Sequence, residues 1–214
     1  MFPLTVLVKA GDENFAPRVT FPGDDAGADI RAHVRDYYSR DEACGMFKAL
    51  KKILFSGQVK LFIDGDQAQL TTEEAFLGAI EVNGGCVFMK PHQTKIINSG
   101  FQLDMQALPL DSDEFYSEMI PVYKIVSRSG LACKHNVVVT NAPGIIDSGY
   151  QGWVKVSLTN NSDNYHIFTH GARIAQGLYE MVFDQSQNLL EIVDDFEREE
   201  SQRSTGGFGS TDFL

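Results

Sequence analysis

The sequence predicts an all-β fold of the sandwich or barrel type. The chain after Gly85 contains many short strand-like runs, and Gly, Pro and Asn residues separate these runs at close intervals. Many short strands with turn residues between them are typical of such folds. The strands predicted after Gly85 are Val87–Met89, Gln93–Asn98, Phe101–Met105, Tyr116–Val126, Val137–Thr140, Trp153–Thr159, His166–Thr169 and Ala175–Phe183.

The N-terminal part continues the β pattern. Thr5–Lys9 alternates like a first strand, and Arg18–Phe21 is a short extended piece that precedes a turn at residues 22–25. Small residues then surround Asp29 in the stretch AGADIRA, residues 26–32. Small residues allow close backbone packing, whereas Asp is a poor strand residue. Taken alone, this stretch reads as a capped turn.

Residues 34–85 interrupt the β pattern. Asp41–Ser56 carries apolar residues near helical spacing, and Val59–Ile63 reads as a strand. Thr71–Val82 reads as a second helix, because a threonine N-cap and acidic residues occupy its first turn. The mixture of helix and strand predicts an inserted α+β subdomain.

A hairpin is predicted at Asn141–Gly152, NAPGIIDSGYQG. Its apolar run leads into a turn at Asp147, and a further strand follows from Trp153. Turn chemistry alone makes this an ordinary hairpin. However, a carboxylate on stiff backbone, the rings of Tyr150 and Trp153, and the amide of Asn141 could together hold a small planar ligand beside a general base.

Composition and charge narrow the class of protein. The chain has 214 residues and a formal net charge of −11, which argues against broad contact with a nucleic-acid backbone. Cys44, Cys86 and Cys133 are far apart and form neither a disulfide framework nor a zinc site. We see no signal peptide and no apolar run that could span a bilayer. A cytoplasmic protein without membrane or direct nucleic-acid contacts is expected, in the host cytoplasm if a phage encodes it.

The last residues, 187–214, differ from the rest of the chain. An acidic stretch at Glu191–Glu200 predicts a solvated, flexible linker. Beyond it, the stretch RSTGGFGST offers glycines and hydroxyl groups that can wrap phosphate oxygens, with a cation and a ring nearby. An isolated Gly-rich tail is otherwise simply disordered. The β domain is therefore expected to comprise residues 1–33 and 86–186.

Five stretches stand in one order along the chain and together closely resemble the five motifs of the trimeric deoxyuridine triphosphatase (dUTPase) family. They are AGADIRA (26–32), SRSGLACKHNVVV (127–139), NAPGIIDSGYQG (141–152), GARIAQGLYE (171–180) and RSTGGFGSTD (203–212). The resemblance implies a β jelly roll, or β-clip, with a flexible C-terminal arm. It also implies a homotrimer whose active sites each draw motifs from more than one subunit. Residues 34–85 have no counterpart in the minimal family pattern.

Four positions depart from the family pattern. Ser127 stands where the family usually has Pro, and Gly149 where many members have a second Asp. Trp153 replaces a polar or small residue, and Ala172 replaces an Asp. None of these positions is one to which we assign catalysis, so the departures bear on fine geometry.

The resemblance implies Mg²⁺-dependent hydrolysis of dUTP to dUMP and pyrophosphate. Asp147 would be the general base that deprotonates water for attack on the α-phosphorus. Tyr150 would lie under the deoxyribose and leave no room for a 2′-hydroxyl group. Asn141 and the hairpin backbone, at Gly144 and Ile146, would read the uracil edge.

The phosphates have their own predicted ligands. Ser129 and the backbone at Gly130 would bind near the bridge between the α- and β-phosphates, with Arg128 aiding the phosphates or a subunit contact. Gln176 would contact phosphate or metal-bound water, and Asp29 would act on Mg²⁺ through water. Arg173 is either a site residue or a structural ion-pair partner.

The C-terminal arm is expected to close over bound nucleotide. Arg203 would clamp the γ-phosphate together with the Gly-rich loop at Gly209 and Ser210, and Phe208 would stack on uracil. Such closure excludes water and completes the positive charge around the phosphates.

Two other functions occur to us on the same fold, and the first, dCTP deamination, is disfavoured by the residue at position 157. A dCTP deaminase needs a Glu about five residues after the last glycine of the hairpin, and Ser157 occupies that position. The second is a nucleotide-gated regulatory protein that binds a protein partner through residues 34–85.

Overall fold

The computed structural model describes residues 7–10, 15–18, 26–34, 41, 42, 45, 48, 51, 58–63, 66–68, 73–82, 84–105 and 119–184. The strands are β1 (Leu7–Ala10), β2 (Ala28–Arg31), β3 (Val59–Ile63), β4 (Asp66–Ala68), β5 (Cys86–Met89), β6 (Thr94–Asn98), β7 (Phe101–Asp104), β8 (Met119–Val126), β9 (Val137–Val139), β10 (Gly144–Ile146), β11 (Lys155–Asn160), β12 (Tyr165–Thr169) and β13 (Arg173–Phe183). Helix α1 spans Glu73–Val82 and helix α2 spans Ser129–His135. The described part of the chain is therefore mainly β, as predicted.

The strands form four sheets. One pairs β1 with β7, and the others have the orders β10-β8-β13-β2, β6-β11-β9 and β4-β3-β12-β5. Every pairing is antiparallel except that of β3 with β12, which is parallel. Antiparallel sheets that bury one face each are the usual way to enclose a core between β layers.

One large apolar core lies between the sheets. Alternate residues of β11 point into it, since Val156 and Leu158 are buried whereas Lys155 is exposed. The core also takes Ile30 from β2 and Phe168 from β12. A smaller cluster joins α1 to the β4-β3-β12-β5 sheet, with Ile80 packed against Leu61, Cys86, Phe88 and Ile167. Burial in this cluster raises the pKa of the Cys86 thiol to about 12, so this cysteine stays protonated.

The predicted insertion is built into the main fold rather than attached to it. Its strand β3 pairs with β12 along four residues, from Val59 opposite Tyr165 to Phe62 opposite Phe168. The ring of Phe62 is 1 % exposed and belongs to the large core. Helix α1 confirms the second predicted helix, and residues 41, 42, 45, 48 and 51 are helical within the first.

The hairpin prediction is wrong in its pairing. The turn forms, since the Tyr150 N–H donates to the Asp147 carbonyl oxygen at 3.0 Å. However, β10 pairs with β8, whereas β11 begins only at Lys155 and pairs with β6 and β9. The two strands flanking the turn thus belong to different sheets. Turn residues indicate that the chain reverses, but long-range pairing decides which strand each side joins.

Helix α2 and strand β4 were not predicted from the sequence. Of the two, the helix is the one that bears on the site. It has seven residues, and Leu131 is its buried residue. One buried position cannot produce the repeating apolar stripe by which a helix is recognised. The helix ends at Asn136, whose φ of 53° is left-handed and whose N–H bonds back to Ala132. In the described residues, no helix is both long and apolar enough to cross a bilayer.

Candidate functional site

The first turn of α2 lies at the surface. Arg128 is its N-cap, with extended backbone, and the Arg128 carbonyl oxygen accepts the Ala132 N–H at 2.9 Å. Ser129 and Gly130 are exposed. The first N–H groups of a helix have no acceptor inside the helix, and they favour a bound anion. The exposed residues of this turn agree in position with the phosphate contact expected at Ser129 and Gly130, which stays a prediction.

A buried carboxylate holds two guanidinium groups beside this turn. Asp29, which is 8 % exposed, accepts from Arg128 Nε at 3.0 Å and from Arg173 Nη1 at 3.4 Å. The Arg128 and Arg173 side chains are 18 % and 21 % exposed. Two cations against one anion leave an excess of positive charge in this group of three. The ion pair with Arg173 supports the structural reading that the sequence left open.

Gln176 completes this part of the surface. It lies opposite Val126 of β8 on one side and Asp29 of β2 on the other. Its side chain lies over Gly27, where an added Cβ atom would be 3.5 Å from the Gln176 Cβ. The register places Gln176 beside Asp29, and the ion pair places Arg128 there as well. We call the group formed by Asp29, Arg128, Ser129, Gly130 and Gln176 the phosphate patch.

A second group of predicted residues lies around β10. A Cβ atom on Gly144 would be 3.3 Å from Asn141 Nδ2, so glycine lets the amide lie against this strand. Gly144 is buried opposite Ile125. The peptide bond between Ala142 and Pro143 is cis. The Asn141 amide lies against the start of β10.

Asp147 and Tyr150 lie at the other end of β10. Ile146 packs partly against the core, and Asp147 follows it with an exposed side chain. Tyr150 is 41 % exposed, and its hydroxyl group donates to the Trp153 carbonyl oxygen at 3.0 Å. A Cβ atom on Gly152 would lie 2.5 Å from the Tyr150 hydroxyl oxygen. Glycine at this position thus allows the Tyr150 ring to lie across the turn.

Within one chain, Asp147 lies at a distance from the phosphate patch because the two sit at different positions along β8. Ile146 lies opposite Tyr123 on β8, whereas Val126 of the same strand lies opposite Gln176. Three residues along a strand correspond to about 10 Å. Asp147 lies one residue further on than Ile146. The predicted base and the predicted phosphate ligands of one chain therefore do not form one compact site.

Several supporting residues escaped the sequence analysis. The Ser127 hydroxyl oxygen accepts the Val139 N–H at 2.8 Å and so joins the segment before α2 to β9. Gly152 leaves room for the Tyr150 ring. His170 forms hydrogen bonds to Val34 and Gly85, at the two ends of the insertion. The contacts of Ser127 and His170 join residues that are distant in sequence, whereas Gly152 lies two residues after Tyr150 and was a visible local signal.

The remaining predicted residues lie outside the described part of the chain. Arg203, Phe208, Gly209 and Ser210 belong to the C-terminal arm, and the structure describes nothing beyond residue 184. Among the described residues, no group of three or more His, Cys, Asp or Glu side chains could hold a metal ion. Ser157, the position at which a deaminase needs Glu, donates its hydroxyl proton to Thr140 Oγ1 at 3.0 Å.

Comparisons with known proteins agree with these observations. A family model described as dUTPase matches residues 88–212. A deoxyuridine 5′-triphosphate nucleotidohydrolase of Rickettsia canadensis is 36 % identical over 144 residues, covering 66 % of this chain and 84 % of that protein. One from Clostridioides difficile is 35 % identical over 127 residues, covering 59 % and 77 %.

Solved structures with similar folds come from phages. The dUTPase of Staphylococcus bacteriophage 80alpha, solved with dUPNHPP, has a TM-score of 0.58 at 19 % identity and covers 98 % of this chain and 99 % of that chain. The dUTPase of phage phi11 of S. aureus, solved to visualise a species-specific insert, has a TM-score of 0.52 at 16 % identity, covering 90 % and 98 %. At these identities, the likeness shows the fold alone.

Proposed function

This chain belongs to the dUTPase family, and we propose that it hydrolyses dUTP to dUMP and pyrophosphate, with Asp147 as the general base. Membership confirms the jelly-roll fold, and the segment inserted between the first two motifs is consistent with the phage dUTPases of similar fold. The observation that carries the mechanism is the exposed Asp147 side chain at the end of an anchored strand, in the turn that the Tyr150 N–H closes. A carboxylate in this position can hold and deprotonate one water molecule.

The base-binding residues explain the proposed preference for deoxyuridine. Asn141 would pair with the uracil edge, so a cytosine would leave buried polar groups unpaired and bind far more weakly. Tyr150 would pack under the sugar and exclude a 2′-hydroxyl group. Apolar exclusion of one hydroxyl group is worth only about 10²-fold, which is why the contacts of Tyr150 with Gly152 and Trp153 matter.

The described residues fit Mg²⁺ as a partner of the nucleotide. The Asp29 carboxylate is already engaged by Arg128 and Arg173, which leaves it no place as a strong direct ligand. Gln176 and Asp29 would instead orient water molecules around a cation carried by the triphosphate. Such a cation would supply charge neutralisation on the leaving pyrophosphate. A phage phi11 dUTPase is described with a structural Mg(II) ion.

The separation of Asp147 from the phosphate patch supports a homotrimer with shared sites. A complete site needs base, sugar and phosphate contacts within the length of one nucleotide. In one chain, β8 holds these groups about 10 Å or more apart along the strand. A second copy that brings its phosphate patch to Asp147 would complete the site. The C-terminal arm, with Arg203 and Phe208, would then close over it.

The decisive experiment measures pyrophosphate release with Mg²⁺ from dUTP, UTP, dTTP and dCTP. We expect strong preference for dUTP, and a loss of about 10²-fold to 10⁴-fold in kcat for Asp147→Asn. The variant should unfold at the same temperature as the wild type, because Asp147 is exposed. Full activity of the variant would disprove the base, and ammonia release from dCTP would disprove the reaction.

Mixing two inactive variants tests the shared site. Asp147→Asn and Arg128→Gln would each be expressed alone and then together. If the base and the phosphate patch of one site come from different subunits, mixed trimers contain intact sites and regain activity. If both come from one subunit, every site carries a defect and mixing restores nothing.

A second candidate function is nucleotide-gated binding of a protein partner through residues 34–85. One observation favours it: the 80alpha dUTPase matches nearly the full length of this chain, and phage dUTPases are described as controlling transfer of virulence genes by a G protein-like mechanism. Tight binding of dUTP without turnover by the wild type would favour this function. Turnover without any nucleotide-dependent partner would count against it.

A further inference from the structure

Both ends of the insertion meet at His170. The His170 backbone N–H donates to the Gly85 carbonyl oxygen at 3.0 Å. Its side-chain Nδ1 accepts the Val34 N–H at 3.1 Å. Val34 and Gly85 are the first and last residues of the segment 34–85. One residue of the main β fold therefore fixes both points at which the insertion leaves and rejoins it.

The turn that contains His170 continues into Arg173, which contacts Asp29 of the phosphate patch. Directly after His170, the Gly171 N–H donates to the Ala32 carbonyl oxygen at 2.8 Å, and Arg31 Nη1 donates to the Gly171 carbonyl oxygen at 2.8 Å. Arg173 then opens β13 and reaches Asp29. Only two residues separate His170 from Arg173, so a shift of the turn moves the start of β13.

Aromatic packing holds the His170 ring in place. Its centroid lies 4.6 Å from that of Phe15 and 5.1 Å from that of His33. Phe15 is 3 % exposed, so the ring cannot swing away without opening buried surface. Nδ1 is consequently a fixed acceptor. Since a backbone N–H can only donate, the ring carries its acceptor nitrogen towards Val34.

A second contact joins the insertion to the C-terminal end of α2. The Phe62 ring of β3 meets the His135 ring edge-on, with centroids 4.9 Å apart. His135 is the last residue of α2, whose first residues are Ser129 and Gly130. The insertion thus contacts two elements that carry residues of the patch, the turn before β13 and the far end of α2.

We propose that His170 is a positioning residue that makes nucleotide affinity depend on the fold of the insertion. This inference rests on the proposed function of the phosphate patch. The hydrogen bond from Val34 to His170 holds the turn before β13, and this turn fixes the position of Arg173. Arg173 in turn contacts Asp29, which orients Arg128. Nucleotide binding then stabilises the insertion by the same free energy with which the folded insertion favours nucleotide.

Two variants of nearly equal shape isolate the hydrogen bond. His170→Asn keeps an acceptor at the place of Nδ1, whereas His170→Leu removes it, and both lose the ring. The binding constant of a non-hydrolysable α,β-imido analogue of dUTP, KM and kcat would be measured for each. Hydrogen exchange of residues 58–63 and 73–82 would be followed with and without the analogue.

We expect the Leu variant to bind the analogue about five-fold more weakly than the Asn variant, with kcat little changed. Analogue binding should slow exchange in the insertion of the wild type and the Asn variant, and much less in the Leu variant. Equal affinity and equal protection in the two variants would overturn the inference, even if the Leu variant melts at a lower temperature. If the Leu variant does not fold, His170→Gln, which moves the acceptor outward, replaces it. Failure of the wild type to bind the analogue would instead disprove the proposed function.

Discussion

The Tyr123 hydroxyl group occupies the space that a side chain on Gly177 would need. A Cβ atom on Gly177 would lie 1.8 Å from the Tyr123 hydroxyl oxygen and 2.1 Å from its ring carbon Cζ. Tyr123 is fully buried, and its hydroxyl group has no hydrogen-bond partner among the described residues. Burial raises the pKa of this phenol far above its usual range. The tyrosine is thus held by shape, and the glycine that makes room for it is the residue directly after Gln176.

Gly177→Ala should destabilise the fold by about 1–3 kcal/mol, because a buried ring must move to make room. The midpoint of urea denaturation measures this change. Gly78→Ala is the matched control, since a Cβ atom there meets nothing within 4 Å, and we expect a gain of about 0.5–1 kcal/mol in α1. An unchanged midpoint for Gly177→Ala would show that Tyr123 repacks freely.

Asp29→Asn should weaken both stability and nucleotide binding. The change leaves two mostly buried guanidinium groups with an uncharged partner, and we expect a cost of about 1–3 kcal/mol. KM for dUTP should rise, because Arg128 loses the bond that orients it. Denaturation midpoints and steady-state kinetics measure the two effects.

The control for that charge change is Asp163→Asn. This residue pairs with His92 at 3.0 Å, but its side chain is 99 % exposed. Exposed pairs contribute little, so neither the midpoint nor KM should change. Equal effects of the two Asp substitutions would mean that the Asp29 ion pairs have no special role.

Gly152→Ala should reduce the discrimination against UTP while leaving stability nearly unchanged. The added methyl group displaces the end of an exposed tyrosine side chain, which costs little in folding. The displaced ring no longer packs closely under the sugar, so the ratio of kcat/KM for dUTP over UTP should fall about ten-fold. Gly45→Ala, at an exposed position with nothing within 4 Å, should keep the wild-type ratio.

Stability should fall as the pH drops through the weakly acidic range because of His166. Burial, together with His135 and Lys60, lowers the pKa of His166 from 6.5 to about 4. The unfolded state therefore binds a proton below about pH 6.5 that the folded state takes up only near pH 4, so the loss occurs between these values. His166→Gln should show a shallower decline in denaturation midpoint, whereas His92→Gln, at an exposed position, should retain it. Identical slopes for the wild type and His166→Gln would contradict this assignment.

Local pattern was enough for most of the strands, whereas the predicted site residues came from the resemblance in five ordered motifs. The runs that became β5, β6, β7 and β12 were predicted within about a residue, because turn residues bound them. Local pattern did not predict α2, because a helix with one buried leucine has no repeating apolar stripe. It also did not predict that β10 pairs with β8, because an Asp-Ser-Gly turn carries no information about distant strands. The five ordered motifs indicated Asp147 and Arg128 and implied sites shared between subunits, and the register on β8 accounts for the distance between Asp147 and Gln176 within one chain.

The interior contacts of the insertion were equally invisible in the sequence. Phe62 sits in a short apolar run that fits any strand, and its place in the main core depends on parallel pairing with β12. His170 follows a strand and precedes a glycine, which predicts only a turn. Its hydrogen bonds to Val34 and Gly85, the two ends of the insertion, arise only in the folded chain.

The parallel pairing of β3 with β12 also has a consequence for deleting residues 34–85. In the described sheet, β12 lies between β3 and β5, so removing the insertion would turn β12 into an edge strand with a row of unpaired N–H and C=O groups. Such an edge is a template for pairing with another chain. It would also be apolar, because Ile167 and Phe168 would lose neighbours on both faces. A deletion variant should therefore aggregate, whereas point substitutions within β3 keep the edge covered.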